Sequence, residues 1–104
     1  MLTKDDVEVF VIVDWCEEDP HDHIDDPILL DWIYGQILAE NPWAWGCVKV
    51  AVFWRSIYRP AYCSPVTVHD KAEFLSTDDY TSAVQDCLDW LNLDAQDIIV
   101  NYPR

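Results

Sequence analysis

The side chains best suited to chemistry gather in one stretch, Cys16 to Asp26, which reads Cys-Glu-Glu-Asp-Pro-His-Asp-His-Ile-Asp-Asp. Thiol, imidazole and carboxylate ligate divalent metals, and the pair His21 and His23, flanked by Asp19, Asp22, Asp25 and Asp26, is a set that zinc or a similar ion accepts. The spacing departs from a calcium loop, which needs a central glycine and a terminal glutamate, and it matches no structural zinc motif. The first expectation is therefore a solvated acidic loop with no metal and no cofactor. A metal or small-ligand site in this 16–26 loop is the alternative. His69 falls at a strand end and reads as a surface residue.

Other catalytic arrangements find little support. The four serines lie in no Gly-x-Ser-x-Gly elbow, and no cysteine stands beside a basic residue that would activate it. A phosphate-cradling loop needs several closely spaced glycines, and the chain has only Gly35 and Gly46. Carboxylate pairs are too numerous to single out a glycosidase-type pair. The expectation is a protein that is not an enzyme.

Charge is the strongest compositional signal. The 104 residues carry 20 Asp and Glu against 6 Lys and Arg, a net charge of −14. Residues 1–40 hold twelve of the acids and Lys4, for −11; residues 41–69 hold Lys49, Arg55, Arg59 and no acid, for +3; residues 70–104 hold eight acids against Lys71 and Arg104, for −6. Such a chain repels nucleic acid, anionic membranes and other polyanions. With 51% hydrophobic and 13% aromatic residues it can still build a core, so the charge does not imply disorder. There is no apolar run of membrane-spanning length, and the start, Met1-Leu2-Thr3-Lys4-Asp5-Asp6, lacks a signal-peptide layout. Both point to a cytoplasmic protein whose four cysteines (16, 47, 63 and 87) are free thiols.

The elements that position these residues follow from hydrophobic period. Val7, Val9, Val11 and Val13 make one face of a first strand over 7–15, with Glu8, Phe10, Ile12 and Asp14 on the other. Asp26 followed by Pro27 is a helix start. The helix runs roughly 27–40 with Leu29, Leu30, Ile33, Ile37 and Leu38 as its buried stripe, and Asn41-Pro42 ends it. Val48, Val50, Val52 and Trp54 form a core row at period two, while Cys47, Lys49, Ala51, Phe53 and Arg55 face the other way. An irregular connection is expected around 57–61, at Arg59-Pro60. A strand with Tyr62, Val66 and Val68 in phase follows, bulged or at an edge near Pro65. Residues 70–75 are a short helical turn or a loop. Ser76 to Asp79 caps a helix over about 77–92 with the stripe Tyr80, Ala83, Val84, Cys87, Leu88 and Leu91, and residues 98–102 read as a last strand.

The resulting order, β-α-β-β-α-β, resembles the ferredoxin-like α+β sandwich: one domain, a four-stranded antiparallel sheet with the first and third strands central, and two helices on one face. That leaves Phe10, Ile12, Ala51 and Phe53 on an open sheet face, with Ile57 a further candidate for it. Nucleic-acid-binding modules of this topology stack bases there, but the acidic surroundings favour a protein contact or self-association instead.

In size, acidity, aromatic content and lack of catalytic motifs the chain is similar to small phage anti-restriction and anti-CRISPR proteins. That general likeness implies an inhibitor of a basic, nucleic-acid-handling partner, with carboxylates standing in for phosphates. The expected partner-binding residues are Asp14, Glu17, Glu18, Asp19, Asp22, Asp25, Asp78, Asp86 and Asp89, with Phe10 and Phe53 on the open face. An immunity protein against a basic nuclease toxin would look the same in sequence. A homo-oligomeric metal- or ligand-binding domain, paired as a homodimer through the open face, is the alternative from another class.

Overall fold

The computed structural model describes the backbone of residues 1–101 and the side chains of residues 1–95. Three strands, β1 (Glu8–Trp15), β2 (Gly46–Trp54) and β3 (Ile57–Val66), form one antiparallel sheet in the order β1-β2-β3. Three α-helices accompany it: α1 (Pro27–Leu38), α2 (Lys71–Leu75) and α3 (Asp78–Asn101). The architecture is α+β, but it is not the four-stranded ferredoxin-like sandwich. β2 is central in place of the first and third strands, and residues 98–101 continue α3 as helix; Tyr102 lies outside the described residues.

The valine row behaves as its period requires. Val48, Val50 and Val52 are fully buried against α3, whose Tyr80, Ala83, Val84, Cys87, Leu88 and Leu91 are buried as well. α3 packs over β2 and β3, so Val9, Val11 and Val13 of the outer strand, and Val7 just before it, are only part-buried. The other helix expected on that face, α1, does not share it. α1 packs instead on the turn Pro42–Ala44 at the sheet's end. Its sequence is apolar nearly all round, and only Ile33 is fully buried; Leu29 and Leu38, expected in the stripe, are exposed.

The β2–β3 connection is a two-residue turn rather than an irregular one at 57–61. Arg55 (φ 48°) and Ser56 (φ 71°) are both left-handed, the conformation a type I′ hairpin turn needs to match strand twist. β3 therefore starts at Ile57 and absorbs Pro60, tolerable because β3 is an edge strand. A register shift opposite the Cys63–Val66 end, beside Pro65, changes the side-chain phase. Tyr62 accordingly faces the open side at 65% exposure while Val66 and Val68 are buried. Among the described residues no helix is long and apolar enough to cross a membrane.

Candidate functional site

The acidic loop is ordered by its own carboxylates. Asp19 accepts hydrogen bonds from the His21 backbone N–H (2.9 Å) and the Tyr34 hydroxyl (2.7 Å), which ties the loop to α1. The Tyr34 hydroxyl, then the His21 N–H, hold the Asp19 carboxyl below its ordinary range, and Asp19 in turn raises Tyr34. Asp26 caps α1 by accepting from Ile28 N–H. The buried Trp45 indole donates to the Glu18 carbonyl at 2.7 Å, with the His23 ring tilted over it and His23 3.0 Å from the Glu18 carboxylate. Asp19 and Asp26 are thus engaged in building the loop, whereas the side chains of Glu17, Asp22 and Asp25 are exposed and make no hydrogen bond among the described residues.

The metal alternative lacks a ligand set. Among the described residues no three His, Cys, Asp or Glu side chains converge as a metal site would require. The four cysteines are free thiols; burial pushes Cys63 and Cys87 up.

On α3, at about 100° per residue, Asp78, Asp79, Asp86 and Asp89 fall within one arc opposite the buried stripe, and all four are exposed. Asp79 and Asp86 line a groove with Cys63, Ser64 and Pro65 of β3. Ser64 Oγ also donates to Cys16 Sγ (3.6 Å), so the start of the acidic loop and the α3 carboxylates flank the same end of β3. The remainder of the loop, from Asp19 onward, turns away to Trp45 and Tyr34. Asp89 is a turn further along, accepting from Gln85 Nε2. Asp79 was not singled out from the sequence, because membership of the groove depends on where β3 runs.

The open sheet face carries Phe10 (46% exposed) and Phe53 (39%), as expected, with Ile12 beside them. Ala51 sits at its centre, almost fully covered, between Phe10 of β1 and Pro60 of β3. Tyr58 and Tyr62 complete the face, whereas Ile57, a candidate for it, pairs with Trp54 and packs on the opposite side with Val52 and Leu91. Tyr58 was missed because the connection was placed on it, and Tyr62 because it was set in phase with Val66 and Val68, which are buried; continuing the phase of Lys49, Ala51 and Phe53 through a two-residue turn would have found both. Asp14 lies at the margin of this face, opposite Cys47. Lys49 stands over the Tyr58 ring (5.8 Å), whose hydroxyl raises its pKa.

Four of the five Lys and Arg among the described residues are held on aromatic rings. Besides Lys49, Lys4 lies over Tyr80, Arg55 over Trp54, and Arg59 over Trp90, each near 5 Å. Among the described residues only Arg59 also bridges a carboxylate, donating to Asp94 through Nε (2.6 Å) and Nη2. No protein-family model matches the chain, and comparison with curated proteins and with solved structures gives no match either.

Proposed function

We propose that this is a small acidic, non-enzymatic interaction protein that binds and inhibits a basic, nucleic-acid-handling protein in the cytoplasm, its carboxylates taking the places of phosphates, as in phage anti-CRISPR and anti-restriction inhibitors. The observation that carries this reading is the state of the charges. A protein that needed its carboxylates only for internal ion pairs would set its cations among them. Here four of the cations sit on aromatic rings, and among the described residues one Lys or Arg bridges a carboxylate. The acidic field is left for something outside the chain, where it steers a basic partner and aligns it. Glu17, Asp22, Asp25, Asp78, Asp79, Asp86 and Asp89 would supply most of the contact. Glu18, Asp19 and Asp14 lie at its margins, and Phe10 and Phe53 offer an apolar patch that such a contact could also cover. A nuclease toxin met by an immunity protein is the same chemistry with a different partner.

The test is capture from bacterial lysate on the immobilised protein and on a triple reversal, Glu17→Lys, Asp22→Lys and Asp86→Lys, which moves the net charge from −14 to −8, two units per substitution. All three positions are exposed, so the variant should fold. The wild type should retain basic nucleic-acid-binding proteins and release them as salt rises, since exposed charges are screened over about 10 Å at 0.1 M. The reversal should lose them through slower association. A captured protein that is indifferent both to salt and to the reversal would sink the proposal.

A further inference from the structure

β1 is an outer strand, and no described group pairs with its free side. The Cys16 N–H donates to the Trp45 carbonyl at 3.1 Å, in register with the β1–β2 ladder. In an antiparallel ladder, residues bonded to one neighbour alternate with residues whose backbone groups face away. Even-numbered residues of β1 therefore bond to β2, and the N–H and C=O groups of Val9, Val11 and Val13 point outward. The opposite edge is blunted: β3 contains Pro60 and Pro65, which lack a donor, and a register shift at one end. β1 has neither proline nor bulge nor lysine over its eight residues, and its only charged side chains, Glu8 and Asp14, lie at or beside its two ends and repel acidic strands rather than basic ones.

The flanking side chains set the chemistry of the occupant. Towards α3 lie Val9, Val11 and Val13, part-buried because α3 covers β2 and β3; towards the open face lie Glu8, Phe10, Ile12 and Asp14. Cross-strand pairs favour β-branched residues opposite the valines and opposite Phe10 and Ile12, and cations opposite Glu8 and Asp14. From Asp5 to Val48 the chain contains twelve acids and no Lys or Arg, so the edge lies wholly in an acidic segment. A second copy of this chain fits poorly. A two-fold register through Val11 would place Glu8 against Asp14 twice, between two chains each carrying −14.

We infer that the free edge of β1 accepts an extended basic segment of a partner protein by strand addition. The segment is an amphipathic strand with Lys or Arg at the two positions facing Glu8 and Asp14. This inference rests on the basic-partner reading and adds to it a shape for the partner's contact.

The probe is a labelled, end-blocked peptide, Lys-Val-Thr-Val-Thr-Val-Lys, titrated at low salt against the full chain and read by fluorescence anisotropy. Two further versions carry N-methyl groups, either on the valine amides, which would face β1, or on the threonine amides, which would face away. Strand addition predicts that valine N-methylation weakens binding by about tenfold or more, through lost backbone hydrogen bonds, while threonine N-methylation leaves it within about twofold. Equal binding of all three peptides would overturn the edge while leaving the acidic surface as a basic-ligand site. No binding of the parent peptide even at low salt would overturn both. A chain that proves dimeric, with β1 amides protected from exchange, would assign the edge to a second copy and overturn the inference too.

Discussion

Gly46 is the position where one added methyl group should disturb both the fold and the acidic loop. It opens β2, is buried, and lies opposite Trp15 on one side and Val66 on the other. A Cβ there would stand 2.6 Å from the Pro42 carbonyl oxygen and 2.9 Å from Val13 Cγ2. The valine could turn aside, but the carbonyl is backbone, so the turn Pro42–Ala44 would have to lift away from the start of β2. That turn is pinned by Val68 N–H donating to the Trp43 carbonyl (2.9 Å) and by the Asn41 side chain, which donates to the His69 carbonyl and accepts from Trp43 N–H. Overpacking of this kind costs about 1–3 kcal/mol. Alanine offsets about 0.4–1 kcal/mol of that by narrowing the unfolded ensemble, provided the native backbone suits it. Gly46→Ala should therefore lose about 1–2 kcal/mol, a large share of a stability of about 5–15 kcal/mol. Urea unfolding followed by tryptophan fluorescence measures it, with an unchanged slope and a lower midpoint as the expected result. Because Trp45 is the next residue and its indole holds the Glu18 carbonyl, loop amides should also exchange faster. An unchanged or raised midpoint would refute the close approach of the turn to β2.

Two further perturbations are specific. Ser56→Gly should stabilise the hairpin by about 0.5–1 kcal/mol, because Ser56 sits at φ 71° where a side chain is strained and type I′ turns prefer glycine; a lower unfolding midpoint would count against a left-handed Ser56. Asp19 should anchor the loop in a pH-dependent way. Its folded pKa is lowered below the ordinary 3.8, so its contribution is fully present above that value and fades as pH falls through the lowered one. Carbon-detected NMR of the Asp19 carboxyl should give a midpoint under 3.8, and Asp19→Asn should flatten this part of the acid response. A midpoint at or above the ordinary value would dismiss the Tyr34 hydrogen bond as a source of order.

Much of this protein was legible wherever a signal is local. Asp26 before Pro27 set the start of α1, and Asp26 does cap it. The alternation Val48, Val50, Val52 identified the core face of β2, and the stripe from Tyr80 to Leu91 the core face of α3. Capping and periodicity are properties of a few neighbouring residues, so they survive without knowledge of the rest of the chain. The segregation of charge, and the exposure of Glu17, Asp22 and Asp86, followed from composition in the same way.

Where several local answers were equally good, only the tertiary structure decided. The run Ile98, Ile99, Val100 suits a strand by residue type, but short apolar runs do not distinguish strand from helix, and here residues 98–101 extend α3. Without that strand the sheet has three members, β2 becomes central, and β1 is left as a free edge. Arg55-Ser56 carries no glycine or asparagine to announce a type I′ turn, so the strain there depends on the pairing of β2 with β3 to hold it. α1 is apolar on most sides, and which side is buried depends on where the Pro42–Ala44 turn lies. Long-range pairing selects among conformations that nearby residues leave nearly equal in energy, which is why the placing of Cys16 and of Asp79 and Asp86 at the same end of β3 could not be read from spacing alone.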